Sequence, residues 1–238
     1  MAAVGTASGT YNFAPAVGEL VIAAFRRIGV HRAEIVTEHF ADAKMEINLL
    51  QVSWADLGPL LWTVTVNTIT FVAGQAVYSI PSNVVMITDM YVQVPNGDGT
   101  TSDRIITPLS RTEYASMPDK SQQGDVTSFW FNRQIGAQTV TLWPVPYGTI
   151  TASYFCFTQV QDALPGNAGQ PQVPYLALDA YVAGLAHRLS VIYPPKARPD
   201  GSRIDYEGAA TKAANVMFSQ LAENVPFYVQ PVTESYWR

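Results

Sequence analysis

The pattern of apolar positions changes twice along the chain, from a helical period to strand-like alternation and back again. In residues 19–30 the apolar positions fall on one helical face, and Gly29 is a typical helix stop. A longer helix is predicted from about Ala33 to Leu57, because apolar residues recur there at alternating spacings of four and three. This seam comprises Val36, Phe40, Ala43, Ile47, Leu50, Trp54 and Leu57. A stripe of this length predicts packing against other helices.

Strand signals occupy the middle of the chain. From Leu60 to about Asp162, short β-branched and aromatic segments are separated by turn residues such as the PNGDG run at 95–99. Several short strands at this spacing predict an antiparallel sandwich or a small barrel. Within this region, residues 110–118 begin with Ser followed three positions later by Glu, which predicts a capped helical turn.

The helical period returns at about Val173. Small residues there alternate with an apolar face formed by Leu178, Tyr181, Val182, Leu185, Leu189 and Ile192. Small residues at that density allow helix backbones to approach closely. A last helix is predicted over residues 206–224, and Pro226 and Pro231 then exclude a helical continuation.

The predicted fold class is therefore α+β. The N- and C-terminal helices, residues 17–58 and 173–224, are expected to form one helical bundle. An antiparallel β-sandwich or barrel-like module, residues 59–162, is inserted between them and followed by a linker at 163–172. Residues 1–16 are small and polar and predict a flexible N-terminal arm, whereas residues 225–238 predict an extended C-terminal tail.

Charged residues are scarce, at 14% of the chain against roughly a quarter in a typical soluble domain. A surface so poor in charge is usually covered by a partner or by another copy of the chain. The net charge of −5 disfavours DNA binding through phosphate neutralisation. Residues 58–88 contain no Asp, Glu, Lys or Arg, but their Pro, Asn, Gln and Thr residues predict strands and not a membrane span.

The sequence contains no recognisable catalytic or metal-binding constellation. The three histidines, His31, His39 and His187, form no zinc motif, and Cys156 is the single cysteine, which excludes an intrachain disulfide. The GxSxG, GxGxxG and phosphate-loop patterns do not occur. The chain is therefore predicted not to be an enzyme and to use no cofactor and no metal.

Aromatic residues are the candidate contact groups. In the stretch 129–146, alternation places Trp130 and Trp143 on the face opposite the core-forming apolar residues. That face could stack on a sugar, pack on the helices of the same chain or contact a neighbouring subunit. The tail aromatics could anchor an interface or fold back on their own bundle. The predicted partner-interface residues are Trp130, Trp143, Phe227, Tyr228, Tyr236 and Trp237.

Several segments resemble the head-to-tail adaptor (connector) proteins of short-tailed bacteriophages. These segments are ELVIAAFRRIGV (19–30), INLLQVSWADLGPLLW (47–62) and GQAVYSIPSNVVMITDMYV (74–92). In that family an N-terminal helical pair leads through a Trp to a strand and a Tyr-x-x-Pro corner, here Trp62 and Tyr78 to Pro81. Residues 110–131 and 173–189 are similar as well, so the resemblance covers roughly residues 17–228.

The resemblance implies a structural virion protein at the head–tail junction, present in the host cytoplasm during assembly. It would form a ring, usually twelvefold in that family, docked beneath the portal, with the helical bundles building the ring. Its partners would be further copies of itself, the portal protein and the tail (nozzle or tail-tube) proteins. DNA would pass through the lumen only as cargo, and no membrane is involved. The alternative is a carbohydrate-binding or adhesin-type β module of a phage tail, with Trp130 or Trp143 as its stacking platform.

Overall fold

Helices occupy both ends of the described chain and strands its middle. The computed structural model describes residues 13–57, 60–164, 169–195 and 204–221. In those residues the helices are α1 (Val17–Arg27), α2 (Thr37–Leu57), α3 (Arg111–Ser116), α4 (Leu178–Ile192) and α5 (Tyr206–Leu221). Short 3₁₀ turns at Arg32–Glu34, Leu61–Thr63 and Tyr175–Ala177 precede α2, the first strand and α4.

The helices share one hydrophobic core that is centred on α4, which α1, α2 and α5 all contact. Of the α2 seam, Ala43, Ile47, Leu50 and Trp54 are buried. The two ends of the seam were predicted wrongly, because Val36 precedes α2 and is 52% exposed while Leu57 is 71% exposed. The periodicity continues beyond the segment of α2 that α4 covers. The helix also begins at Thr37 and not near Ala33, where the chain forms a 3₁₀ turn.

The contact between α2 and α4 depends on small and polar groups. A Cβ atom added to Gly184 of α4 would lie 2.9 Å from Leu50 Cδ1, so the missing side chain allows α2 to approach. Next to this contact, the buried Gln51 donates a hydrogen bond from Nε2 to the hydroxyl of Tyr181 (3.1 Å). The bond satisfies two polar groups that would otherwise be unpaired inside the core.

The strands form one curled seven-stranded sheet and one small two-stranded sheet within the described residues. The strands are β1 (Val64–Phe71), β2 (Val77–Ser79), β3 (Val84–Pro95), β4 (Thr101–Pro108), β5 (Gln123–Gly124), β6 (Ser128–Asn132), β7 (Thr139–Trp143), β8 (Val145–Pro146) and β9 (Ile150–Thr158). The large sheet has the order β1-β9-β3-β4-β6-β7-β2, and β5 pairs with β8.

The sheet differs from the predicted antiparallel sandwich in two respects. It is a single curled sheet that resembles half of a barrel, and β4 pairs in parallel with β6 at Thr107↔Ser128 and Pro108↔Phe129. The β5–β8 pair is parallel as well. The physical reason is the connection between β4 and β6: α3 and the chain up to residue 127 are long enough to return the next strand in the same direction.

The inner face of the sheet has its own hydrophobic core, which includes Phe71, Met90, Phe129, Leu142 and Tyr154. Tyr78 holds the β1–β2 connection closed, because its hydroxyl accepts a hydrogen bond from the Val72 amide (2.8 Å) and donates to the Gln75 carbonyl (2.9 Å). Burial raises the pKa of this hydroxyl. Tyr78 is the first residue of the Tyr-x-x-Pro corner, and its role there is structural.

Candidate interaction surfaces

Trp130 and Trp143 lie on the same face of the sheet, as the alternation predicted. Trp130 pairs with Thr141 across β6 and β7, and Trp143 is two residues further along β7. The opposite face carries Phe129, Val140 and Leu142, which are buried in the core. Both tryptophans are half-buried. The alternation of the two strands therefore creates an aromatic surface outside the core.

The segment 110–121 lies across this aromatic surface. Tyr114 stacks on Trp130 with ring centroids 5.3 Å apart and an angle of 18° between the ring planes. Trp143 donates a hydrogen bond from Nε1 to the Asp119 carbonyl (3.0 Å). Lys120 lies 5.7 Å from the Tyr114 ring centroid, at a distance typical of a cation–π contact. One face of the Trp130 ring is therefore covered by a tyrosine and is not open to a sugar.

Local hydrogen bonds hold the covering segment in place. Ser110 Oγ accepts from the Glu113 amide (3.2 Å), and Glu113 Oε2 accepts from the Ser110 amide (2.7 Å), which caps α3. The carboxylate of Asp119 accepts from the hydroxyl and the amide of Ser121, at 2.6 and 2.9 Å. These bonds favour the charged carboxylates and lower the pKa of Glu113 and of Asp119. The aromatic surface thus has a preformed rim.

A second surface is a cleft of about 550 Å³ between α2 and one end of the sheet. Val52 and Ala55 line it from α2, and Val85 and Phe157 line it from β3 and β9. Its charged lining residues are Asp56, Arg133 and Asp162. Apolar walls with few charges suit an apolar side chain or peptide segment more than a charged ligand.

A third surface is the exposed side of α2. Met45, Leu49 and Val52 follow the helical spacings of four and three and are 63%, 44% and 55% exposed. We call these three residues the α2 stripe. Val52 also lines the cleft, so the stripe and the cleft are continuous. Apolar residues grouped in this way on a helix are typical of a contact with another protein.

His39 and Cys156 both pack within the fold. His39 Nδ1 accepts a hydrogen bond from the Val36 amide (3.3 Å), and its ring stacks on Tyr193 at 4.7 Å. Cys156 is fully buried, and its Sγ lies 3.2 Å from Asn67 Nδ2. Among the described residues, no group of three or more His, Cys, Asp or Glu side chains is placed to hold a metal ion. Across the same ranges, no helix combines the length and hydropathy that a membrane crossing requires.

The structure brings two of the six predicted interface residues together, Trp130 and Trp143, and their contact with a partner stays a prediction. The other four, Phe227, Tyr228, Tyr236 and Trp237, lie outside the described residues. The α2 stripe was not predicted from the sequence. Its spacing was a usable signal, but the stronger seam on the opposite side of the same helix concealed it. No local sequence pattern predicts the cleft, because its walls come from distant parts of the chain.

The aromatic surface, the apolar cleft and the α2 stripe are features typical of proteins that make contacts with other macromolecules. A family model described as SU10 adaptor protein matches residues 15–231. The chain belongs to this family, and it is a phage head-to-tail adaptor, a structural virion component of the head–tail junction that interacts with portal and tail proteins. The resemblance noted in the sequence is thereby confirmed. A comparison with curated proteins gave no match.

Proposed function

We propose that the chain forms a homo-oligomeric ring beneath the portal, joins the capsid to the tail and surrounds the channel through which the DNA leaves. The observation that carries this proposal is the family match, which spans nearly the whole chain. The protein acts by binding and not by catalysis. In the ring, the helices that share the core on α4 form a bundle, and each bundle contacts its neighbour.

The exposed apolar groups of α2 support a subunit contact on the helical side of the molecule. A subunit in a cyclic ring uses two different surfaces, one toward each neighbour. The α2 stripe and the adjoining cleft form one such surface. Together they expose apolar area, and its burial against a neighbour is favourable. The aromatic surface at Trp130 and Trp143 is a second candidate, for a neighbour or for the portal.

The charge of the chain suits a channel that releases DNA. Twelve copies, the usual number implied by the resemblance, would together carry about −60, from −5 each. Binding to DNA requires neutralisation of phosphates by Lys and Arg, and a negative ring opposes it. DNA therefore passes through the ring as cargo.

The test is to mix the purified chain with its cognate portal ring, to measure the native mass of the complex and to image it by electron microscopy. Adaptors can remain monomeric until they meet a portal, so the free chain alone is not decisive. We expect a stoichiometric ring of chains on each portal. If the portal binds no ring, or binds the chain without a fixed stoichiometry, the proposal is wrong.

A matched pair of variants tests the contact surface. Val52→Asp puts a charge into the α2 stripe, whereas Val216→Asp puts the same charge on α5 at a similar exposure of 48%. We expect Val52→Asp to reduce ring formation on the portal strongly and Val216→Asp to leave it nearly unchanged. Melting curves of both variants show whether the fold is retained. Equal ring formation by the two variants would assign the subunit contact to another surface.

A further inference from the structure

The turn between β3 and β4 contains an Asn-Gly step. Asn96 and Gly97 follow the end of β3 at Pro95, and both residues are exposed. Asn96 is the single asparagine in the sequence that is followed by Gly. The side-chain amide of an asparagine can react with the backbone nitrogen of the next residue. A glycine at that position leaves the nitrogen accessible, because it has no side chain and few backbone restrictions.

The Gly97 nitrogen is available as the nucleophile of such a reaction. Among the described residues its N–H donates to no acceptor, whereas the Gly99 amide donates to the Asn96 carbonyl (3.2 Å). A Cβ atom added at Gly97 would meet no atom within 4 Å, so open space surrounds the backbone there. The nitrogen and the side-chain amide belong to adjoining residues, and their reaction is therefore intramolecular and needs no encounter.

Two hydroxyl groups near the start of β4 bind the Asn96 side-chain amide. Ser102 Oγ donates to Asn96 Oδ1 (3.2 Å), and Asn96 Nδ2 donates to Thr100 Oγ1 (2.9 Å). When a nitrogen attacks the amide carbon, negative charge develops on Oδ1. A hydrogen bond that already points at this oxygen stabilises the charge. Ser102 is therefore placed as the donor to the developing oxyanion.

The same turn contains an Asp-Gly step that lacks these features. Asp98 Oδ1 accepts from the hydroxyl (2.6 Å) and the amide (2.9 Å) of Thr100, and these bonds lower the pKa of the Asp98 carboxyl. An ionised carboxylate is a poor electrophile. The nitrogen that follows it, that of Gly99, is already engaged with the Asn96 carbonyl. The reaction is therefore expected at Asn96 and not at Asp98.

We propose that Asn96 is a site of spontaneous deamidation through a succinimide, with Ser102 assisting. The Gly97 nitrogen loses its proton to the solvent and bonds to Asn96 Cγ. The Cγ–Nδ2 bond breaks, and Nδ2 takes up a proton from the solvent and leaves as ammonia. Water then adds to either carbonyl of the succinimide and opens the ring to aspartate or isoaspartate. The sequence of steps consumes one water molecule and needs no oxidant and no second protein.

The product changes the turn in charge and in geometry. An acid at position 96 no longer donates from Nδ2 to Thr100, and its negative charge lies close to Asp98, which accepts from the same hydroxyl. Isoaspartate also adds a methylene group to the main chain. Both changes weaken the pairing of residue 96 with Thr100, which a backbone hydrogen bond of 2.7 Å now holds. Hydrogen exchange at the Thr100 amide should be faster in the aged chain.

Ageing of the purified chain tests the site. Peptide mass spectrometry, with fragmentation that separates isoaspartate from aspartate, follows the conversion of each asparagine. We expect conversion at Asn96, faster at alkaline than at neutral pH because the attacking nitrogen must lose its proton. The exposed Asn83, which precedes Val84, is the control within the chain and should convert many-fold more slowly. An unmodified Asn96, or equal conversion at Asn83, overturns the inference.

Two variants test the roles of the neighbouring groups. Gly97→Ala meets open space and should slow the conversion several-fold without loss of the fold. Ser102→Ala removes the donor to Oδ1 and should slow it as well, whereas Ser82→Ala, at another exposed serine, should not. A rate in Ser102→Ala that is unchanged or faster overturns the role of Ser102. Melting curves show that each variant is folded, and all measurements use the chain alone, so they are independent of ring formation on the portal.

Discussion

At the scale of single residues, a hydrogen bond joins Tyr193, at the end of α4, to Asp42 of α2. The Tyr193 hydroxyl donates to Asp42 Oδ2 at 2.5 Å, and the Tyr193 ring lies against His39 and Phe25. The hydrogen bond to the carboxylate favours the neutral phenol and, with burial and the nearby charges of Asp42 and Glu38, raises the pKa of Tyr193 to about 12.

This hydrogen bond makes stability depend on pH in the alkaline range. In the unfolded chain a tyrosine loses its proton near pH 10, whereas folded Tyr193 keeps it to about pH 12. Its stabilising contribution is therefore complete below pH 10 and is lost as the pH rises from about 10 to about 12. We expect Tyr193→Phe to reduce the decline of the urea midpoint over that interval.

Asp42→Asn is the matched variant, because it removes the carboxylate and keeps the phenol. It should lower the pKa of Tyr193 and reduce the alkaline decline as Tyr193→Phe does. If the urea midpoint declines with pH equally in the wild type and in both variants, the Tyr193–Asp42 pair contributes nothing to the pH dependence of stability. Tyr78, Tyr154 and Tyr181 also have pKa values raised by burial, so a residual decline is expected in every variant.

Some residue contacts could be predicted from the sequence and others could not. Strand alternation predicted that Trp130 and Trp143 lie opposite Phe129, because the side-chain period of a strand is a local property. The hydrogen bond from Trp143 to Asp119 and the burial of Gln51 next to Tyr181 could not be predicted. Both depend on which distant segments the fold brings together.

At the scale of elements, periodicity predicted the helices well and their ends poorly. The α2 seam is buried where α4 crosses it and exposed at Val36 and Leu57. The strand segments were predictable from β-branched and aromatic residues. The order of strands and the parallel β4–β6 pair were not, because sequence patterns do not specify which edges meet.

The contact between α2 and α4 can be tested through Leu50 and Gly184. Leu50→Ala should cost about 2–5 kcal/mol of unfolding free energy, since Leu50 is buried. Gly184→Ala gains about 1 kcal/mol of helix propensity but presses on Leu50 and should cost about 1–3 kcal/mol through overpacking. In the Leu50→Ala background the added methyl group has space, so Gly184→Ala should become neutral or stabilising.

Chemical denaturation of the four proteins gives the coupling energy of this double-mutant cycle. Gly148→Ala is the control, because a Cβ there meets no atom within 4 Å. We expect Gly148→Ala and Leu50→Ala to be additive. If Gly184→Ala and Leu50→Ala are additive as well, the two helices do not approach closely at Gly184.

At the scale of the whole molecule, the adaptor-like segments predicted the family, and the scarcity of charge agreed with a protein that is covered by partners. The cleft could not be predicted from the sequence, since its walls come from α2, β3 and β9 and meet only in the folded chain. The tail aromatics remain predictions, because they lie beyond the last described residue, Leu221.

Deletion of residues 226–238 tests the tail. We propose that Phe227, Tyr228, Tyr236 and Trp237 anchor it on a neighbouring subunit or on the portal, and that it becomes ordered on binding. The truncated chain should melt almost normally but attach poorly to portal-bearing capsids. A second variant keeps the tail length and replaces the four aromatics by Ser, and it should show the same defect. A lowered melting temperature with unchanged attachment would indicate a tail folded on its own bundle.

The position of β9 between β1 and β3 has a consequence for biosynthesis. β9 is the last strand of the sheet along the chain, yet it pairs with two of the earliest ones, so residues as distant as Val64 and Phe157 must meet. Such non-local pairing slows folding. While the ribosome adds residues 96–149, β3 can pair with β4, but the strand that bridges β1 and β3 does not yet exist. Completion of the sheet must therefore await β9 (Ile150–Thr158), and completion of the helical core must await α4 (Leu178–Ile192).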